Sequence, residues 1–355
     1  MAKRTYATAT VVIAATCIIS AGCGLFGKEK EKLDPPKVVT QLKEGEQLDA
    51  SPDTETSGEE AAKTVMTDLY FIDQNGYVVS QTLALPMTEG PAKQALEYLV
   101  ADGKVMDILP NGFRTVLPAG TEVDVDIKDG KAIVNFSEEF GEYAAEDEKK
   151  ILEAVTWTLT QFDSVKSVEL RVNGYKLEEM PVNGTPINEN GLTREVGINT
   201  GYSDTVDLTN TRPLTVYYLS QGVGEYYYVP VTERVSNKMK DDLTATVNEL
   251  IEGPGLQTGL ISGLSLMSDL KLLEDPTMDD EGVVTLNFNE AVMAGNEENV
   301  ISNEVLQSLV LSLTEQAGVE SVSVLVNGKS ELVNEDGEAL TAPVTRPEKI
   351  NVGSF

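Results

Sequence analysis

The chain has 355 residues, with 58 acidic against 27 basic side chains, a formal charge of −31, two cysteines and no histidine. Without histidine there can be no Ser-His-Asp triad, no Cys-His pair and no histidine zinc site, and the negative charge opposes binding to nucleic acid or other polyphosphates. At 41% hydrophobic content the chain can bury ordinary cores for two domains without covalent staples, and no cofactor is expected.

At the N-terminus, Lys3 and Arg4 precede an apolar run from Val11 to Ile19, interrupted by Thr16, and then Ser20-Ala21-Gly22-Cys23. This is the layout of a secretory leader, and the run is shorter than the roughly 20 residues of a membrane span. The small pair before the cysteine resembles a bacterial lipoprotein signal, with Ser20 standing where such signals usually carry an aliphatic residue. The resemblance implies a leader at 1–22, its removal, and a diacylglyceryl group on Cys23 that fixes an exported chain to the cell membrane. Two acyl chains hold where one is marginal. An uncleaved leader, the alternative, would equally put the body of the chain outside the cytoplasm. Cys17 lies inside the leader, so no thiol is left for a disulfide. Residues 23–64 are rich in Lys, Glu, Ser, Thr and Pro, without helical or strand period, and read as a flexible acidic tether.

A first module is expected over 65–175. It starts with an aromatic strand at Leu69-Tyr70-Phe71, turns at Asp73-Gln74-Asn75-Gly76, and runs into a second strand and a helix from about Pro91 to Ala101. Asp129-Gly130 then introduces a buried strand ending in Asn135-Phe136. Ile151, Leu152, Val155, Leu159 and Phe162 mark a helix face, and Val168 to Val172 alternates into Asn173-Gly174. Trp157 lies off the helical stripe and is expected to pack at its edge.

Residues 176–211 are polar and form either a mobile linker or a packed strap. A second module over 212–345 then repeats the first. Val216-Tyr217-Tyr218 starts it, Gln221-Gly222-Val223-Gly224 turns it, and a helix follows from about Asn237 to Glu252. Asn287-Phe288 lies 152 residues after Asn135-Phe136; Val305, Leu306, Leu309 and Leu313 form the helix face; Val326-Asn327-Gly328 closes the last strand. Residues 346–355 read as a C-terminal tail. The order strand, strand, helix, strand, strand, helix, strand gives an α+β fold: two tandem copies of a small mixed sheet with two helices on one face.

Three residue groups offer chemistry. Asp124, Asp126 and Asp129, and Asp275, Asp279, Asp280 and Glu281, are dense in oxygen but lack the ligand spacing of an EF-hand, so they read as solvated turns. Glu138, Glu139 and Glu290 are carboxylates that a wall glycan hydrolase would use in pairs across a cleft, whereas neighbours on a strand point to opposite faces. Tyr217, Tyr218, Tyr226, Tyr227 and Tyr228 are candidates for contact with a partner, cross-strand packing being the alternative.

The leader, the tether, and two modules that each carry Asn-Phe and Val-Asn-Gly motifs resemble the GerM family of sporulation and spore-germination lipoproteins, whose repeated unit is the GerMN domain. Leu117-Pro118-Ala119-Gly120-Thr121 matches a turn common in that family, while Met267-Ser268-Asp269-Leu270-Lys271 departs from it, which suggests that the modules do different jobs. The resemblance implies a ring-building-motif type of fold, no catalytic residues, and a place on the outer face of the mother-cell membrane. There the protein would contact other envelope proteins of the sporulation complex, in a homo-oligomer or ring, and support the assembly linking mother cell and forespore. The alternative functions are peptidoglycan binding and carboxylate-dependent hydrolysis of wall glycan.

Overall fold

The computed structural model describes residues 63–106, 108–200, 210–222, 225–293 and 299–352. The leader, Cys23 and the tether up to residue 62 lie outside them, as do Val223 and Gly224 of the second hairpin turn.

Module 1 opens with strands β1 (Thr64–Ile72) and β2 (Val78–Pro86), paired antiparallel. Helix α1 (Pro91–Glu97) follows, its Pro at the first turn where no N–H is needed. Strands β3 (Val123–Lys128) and β4 (Lys131–Phe136) form a hairpin, helix α2 (Glu148–Leu159) crosses over, and β5 (Ser167–Val172) returns parallel to β4 before the two-residue β6 (Tyr175–Lys176). Module 2 repeats this as β7 (Thr211–Gln221), β8 (Tyr226–Ser236), α3 (Asp242–Glu252), β9 (Thr277–Met278), β10 (Val283–Phe288), α4 (Asn303–Thr314), β11 (Ser321–Val326) and β12 (Val344–Thr345). The class is α+β with two repeated sheet units, as expected. Within each unit the strands divide between a two-stranded hairpin and a four-stranded mixed sheet.

The alternation read from β4 and β10 holds. Ala132, Val134 and Phe136, and Val284, Leu286 and Phe288, face the core, while the intervening residues are half-buried. Helix α2 departs from its predicted single face, since every residue from Ile151 to Leu159 is buried. Trp157, expected at an edge, is enclosed because residues 194–199 cross the face it occupies. Its Nε1 donates to the Gly197 carbonyl at 3.3 Å, and the Arg194 guanidinium lies 4.3 Å from its ring centroid. Helix α3 starts at Asp242 instead of about Asn237, because the Asp241 side chain accepts the Thr244 N–H at 2.7 Å and fixes the N-terminus there.

The described part of the join, residues 177–200, is a strap. Met180, Ile187, Leu192 and Ile198 belong to the core of module 1, and Leu192 exchanges two backbone hydrogen bonds with Val168, covering the edge of β5. Glu148 ties the strap to α2 by accepting the N–H groups of Val182, Asn183 and Thr185 together with the Tyr143 hydroxyl. Burial opposes its charge, but these donors bring its carboxyl down to about 2.

The two repeated motifs lock onto each other. Asn135 Oδ1 accepts the Gly174 N–H at 2.6 Å and Asn287 Oδ1 accepts the Gly328 N–H at 2.9 Å, while Asn173 and Asn327 donate to the carbonyls of Phe136 and Phe288. Each Asn-Gly pair has two positive φ angles, +51 and +84 in module 1 and +49 and +76 in module 2, a conformation that asparagine and glycine adopt at least cost. Replacing Asn135 with alanine is expected to cost about 1 kcal/mol, and Asn135→Ala with Asn287→Ala about twice that. Urea denaturation of the single and double variants checks both values.

Candidate functional site: the seam between the modules

The hairpins β1–β2 and β7–β8 meet through the edges of β2 and β8, and the chain segments that leave the two modules are laid between those edges. Ile198 and Asn199 leave module 1; Ile350 and Asn351 leave module 2. Ile198 exchanges hydrogen bonds with Thr232 of β8, its N–H going to Oγ1 and its carbonyl accepting the Thr232 N–H, both at 2.9 Å. Ile350 does the same with Thr82 of β2, at 2.7 and 3.1 Å. Asn199 takes both backbone groups of Val78 and reaches the Pro230 carbonyl at 2.7 Å. Asn351 takes both backbone groups of Tyr228 and reaches the Ser80 carbonyl at 2.9 Å. Both asparagines have positive φ, +52 and +54. Each thus uses its side-chain amide as a one-residue strand that satisfies two sheet edges at once. The residues read as a C-terminal tail are, over 346–352, a structural part of this seam.

Tyrosines are exchanged across it. Tyr77 of module 1 is buried in the core of module 2, its hydroxyl donating to the Thr258 carbonyl at 2.7 Å. Tyr227 of module 2 packs edge-on against Phe113 of module 1 and donates to Asp73 Oδ2 at 2.7 Å. Burial pushes the Asp73 carboxyl up, against this hydrogen bond.

Beside the exchange lies a charged group. Arg194 of the strap and Arg346 of the C-terminal segment converge on Glu315, at the end of α4. Tyr217 lies beneath, its hydroxyl accepting from Arg346 at 2.8 Å and donating to Glu315 at 3.2 Å. Burial works against the charge on Glu315, but the two guanidinium groups overrule it and hold the carboxyl below its usual range. Burial pushes the Tyr217 hydroxyl up to about 12.

The five tyrosines offered as a partner surface are therefore split. Tyr217, Tyr218 and Tyr227 are fully buried, because this hairpin is covered on both faces, and their contacts are within the chain. Tyr228 is half-buried, and Tyr226 is 46% exposed at the hairpin tip. Both line a groove of about 240 Å³ with Leu311, Pro347 and Val352. Of the carboxylates, Glu138 and Glu139 start a short 3-10 turn after β4, and Glu290 starts the matching turn in module 2, where the Asn327 amide donates to it at 3.0 Å and lowers its pKa. Asp279 accepts the N–H groups of Glu281 and Val283, so its oxygens serve the turn. Among the described residues no group of three or more acidic or other metal-binding side chains is placed to hold a metal ion, and no helix is long and apolar enough to cross a membrane.

Arg194, Ile198 and Asn199, with Arg346, Ile350 and Asn351, were not singled out in the sequence. The signal was present: each pair is separated by the same 152 residues as Asn135 and Asn287. The repeat continues past the last strand of each module into the segment that closes the seam.

A family model described as Germane, sporulation and spore germination, matches residues 68–178 and 215–332. The spore germination protein GerM of Bacillus subtilis (strain 168) is 54% identical over 363 residues, spanning 97% of this chain and 98% of that protein. The solved structure of the tandem GerMN domains of the sporulation protein GerM from Bacillus subtilis superposes with a TM-score of 0.75 at 57% identity, covering 82% of this chain and 100% of that one. A structure of its first GerMN domain covers 37% of this chain at 64% identity, with a TM-score of 0.36. With two such modules, each matched by the same model, the chain belongs to the Germane family of sporulation and spore germination, as a tandem pair of GerMN domains.

Proposed function

We propose that this chain is a lipid-anchored, non-enzymatic envelope protein that supports sporulation and spore germination through protein–protein contacts, scaffolding the assembly that joins mother cell and forespore. The observation that carries the reading is the seam. Two GerMN domains are fixed to each other by reciprocal strand, tyrosine and ion-pair contacts, in a chain alike over 97% of its length to a spore germination protein. Such a pair acts as one rigid spacer presenting two different outer faces, which suits a scaffold better than a cleft-forming hydrolase. The anchor is a diacylglyceryl group at Cys23, on the extracytoplasmic face of the mother-cell membrane, and the acidic tether holds the pair away from the lipid. Other envelope proteins are the partners, with Tyr226 and the outer edge of Tyr228 as the part of the tyrosine cluster open to them. A homo-oligomer or ring is the arrangement in which two outer faces would both be used.

Replacing Cys23 with serine tests the anchor. The protein should leave the membrane fraction of sporulating cells, and spore yield should fall. Retention in the membrane with normal spore yield overturns the anchored reading. Incubation of the purified chain with wall sacculi should give neither sedimentation nor released fragments; fragments would make it a hydrolase, and sedimentation alone a wall-binding module.

A further inference from the structure

Strand β3 is paired on one side only. Its partner is β4, and among the described residues no other strand or bridge pairs with its outer edge. Lys128 and Lys131 close the two-residue turn Asp129-Gly130, so the residues opposite β4 in hydrogen-bonded pairs are Lys128, Asp126 and Asp124. The N–H and C=O groups of Val123, Val125 and Ile127 therefore point outward, along a free edge of six residues. Asp124 and Asp126 stand exposed on the solvent face beside it; the Asp124 side chain is 77% exposed and meets Lys93 of α1 at 3.6 Å, a solvent-screened pair that an incoming cation would share or displace.

At the start of this edge lies a groove of about 470 Å³, lined by Lys93 and Glu97 of α1, by Thr121 to Asp124, and by Asn135 and Ser137. Thr121 is 6% exposed, and its Oγ1 has no hydrogen-bond partner among the described residues. A buried hydroxyl left unsatisfied is destabilising unless something meets it, and here it borders an open groove. Module 2 has no such edge. Pro276 interrupts the corresponding stretch, β9 has two residues, and Asn289 pins the loop before it through Lys271 and Asp269. Proline and a short strand are the usual means of closing an edge to further pairing. Module 2 has both, and module 1 has neither.

We infer that the outer edge of β3 is a strand-addition site, taken by an extended segment of a partner protein that carries Lys or Arg at alternate positions. Added beside β3, that segment pairs its backbone with Val123, Val125 and Ile127, sets its basic side chains beside Asp124 and Asp126, and runs into the groove where the Thr121 hydroxyl awaits a partner. The proposal names a surface and a partner chemistry for the scaffolding reading, and it rests on that reading only for where such a segment comes from.

The probe is a labelled eight-residue peptide alternating valine and lysine, measured by fluorescence anisotropy on the purified chain, against the same peptide with glutamate in place of lysine. The lysine peptide should bind about tenfold tighter than the glutamate peptide, the contrast expected when two cross-strand charge pairs change sign. Val125→Pro removes an outward N–H without breaking a bond to β4, and should weaken binding of the lysine peptide at least about tenfold. Asp124→Lys with Asp126→Lys should reverse the preference; both residues are exposed, so this variant decides the matter even where Val125→Pro does not fold. Equal binding of the two peptides, an unreversed preference, or unchanged binding to folded Val125→Pro overturns the proposal. These measurements are independent of the membrane anchor, so a failure here and a failure of the Cys23→Ser experiment are separate results.

Discussion

Glu315→Ala is expected to destabilise the chain by about 3 kcal/mol and to split its unfolding into two transitions. Glu315 is the only carboxylate within salt-bridge distance of both Arg194 and Arg346 among the described residues. Arg194 is also stacked on Trp157 and hydrogen-bonded to Thr160, and Arg346 donates to the Leu311 carbonyl and to Tyr217. Neither guanidinium can swing out to water without giving up these contacts, so removing the carboxylate leaves two like charges facing each other in a half-buried site. The arginine side chains keep about a third of their surface exposed, 32% and 29%, which places the cost at the lower end of the range for a broken buried pair. Because Arg194 belongs to the strap of module 1 and Glu315 to module 2, the loss falls on the coupling between modules. Replacing Arg194, Arg346 and Glu315 together with methionine should recover part of the stability, since no arginine is then stranded, while the buried carboxyl of Asp68, which both guanidinium groups favour in its charged form, is left to take up a proton. Guanidinium unfolding followed by Trp157 fluorescence and by far-UV circular dichroism reads both effects. Coincident transitions in Glu315→Ala with a loss under about 1 kcal/mol would mean that water already satisfies the arginines.

The fold of each module was legible because its signals are local. The valines and leucines of β4, β5, β10 and β11 alternate as a one-sided sheet requires, and the apolar spacing of α2 and α4 marks the face that packs inward. Asn-Phe and Val-Asn-Gly could be recognised as a repeat, yet their meaning needed the structure. The Asn135 and Asn287 side chains reach across the sheet to the turn that follows the parallel strand, and no rule of sequence spacing predicts a bond between residues 39 or 41 apart.

The seam was hidden for a different reason. Alternation assigns one face of a strand to the core and the other to water, and β2, β7 and β8 break that rule by burying consecutive residues on both faces. A neighbour covers the second face, and which neighbour is not encoded in the strand itself. Tyr217 and Tyr218 illustrate the point. They are adjacent and point opposite ways; Tyr218 enters the core of module 2, and Tyr217 meets Leu311, Ile350 and the arginine group. Read from the strand alone, one of them had to be outside. The join was legible only as polar, because its structural residues, such as Asn199 and Arg194, act through hydrogen bonds and ion pairs that leave no apolar period.

Stability is expected to rise as pH falls from 8 to about 5 and to decline below about 4. Glu153 lies on α2 at the seam, 9% exposed, and accepts the Asn199 N–H at 3.0 Å. Burial pushes its carboxyl up from 4.5 to about 7, with Asn199 and nearby lysines opposing the shift. Between those two values the folded chain holds a proton that the unfolded chain has released, so acidification favours folding, by on the order of 3 kcal/mol when the window is crossed completely. Glu249 moves the same way, also to about 7, through burial and the charges of Glu252 and Glu233. Glu148, Asp147, Glu169 and Glu315 run opposite. Burial opposes their charge, but their donors and cationic partners outweigh it and hold them below the normal range, so the stability they contribute is present above about 4.5 and is lost as the pH drops through their folded values. The two trends meet in a maximum near pH 5. Thermal melts of the purified chain from pH 3 to 8 trace the curve, and Glu153→Gln, which keeps an acceptor for Asn199 but cannot ionise, should flatten its upper limb and raise Tm at pH 8. A Tm that falls steadily from pH 8 to 5 would show that Glu153 is already charged and solvated in the folded chain, and that the Asn199 clip is held without a proton on its partner.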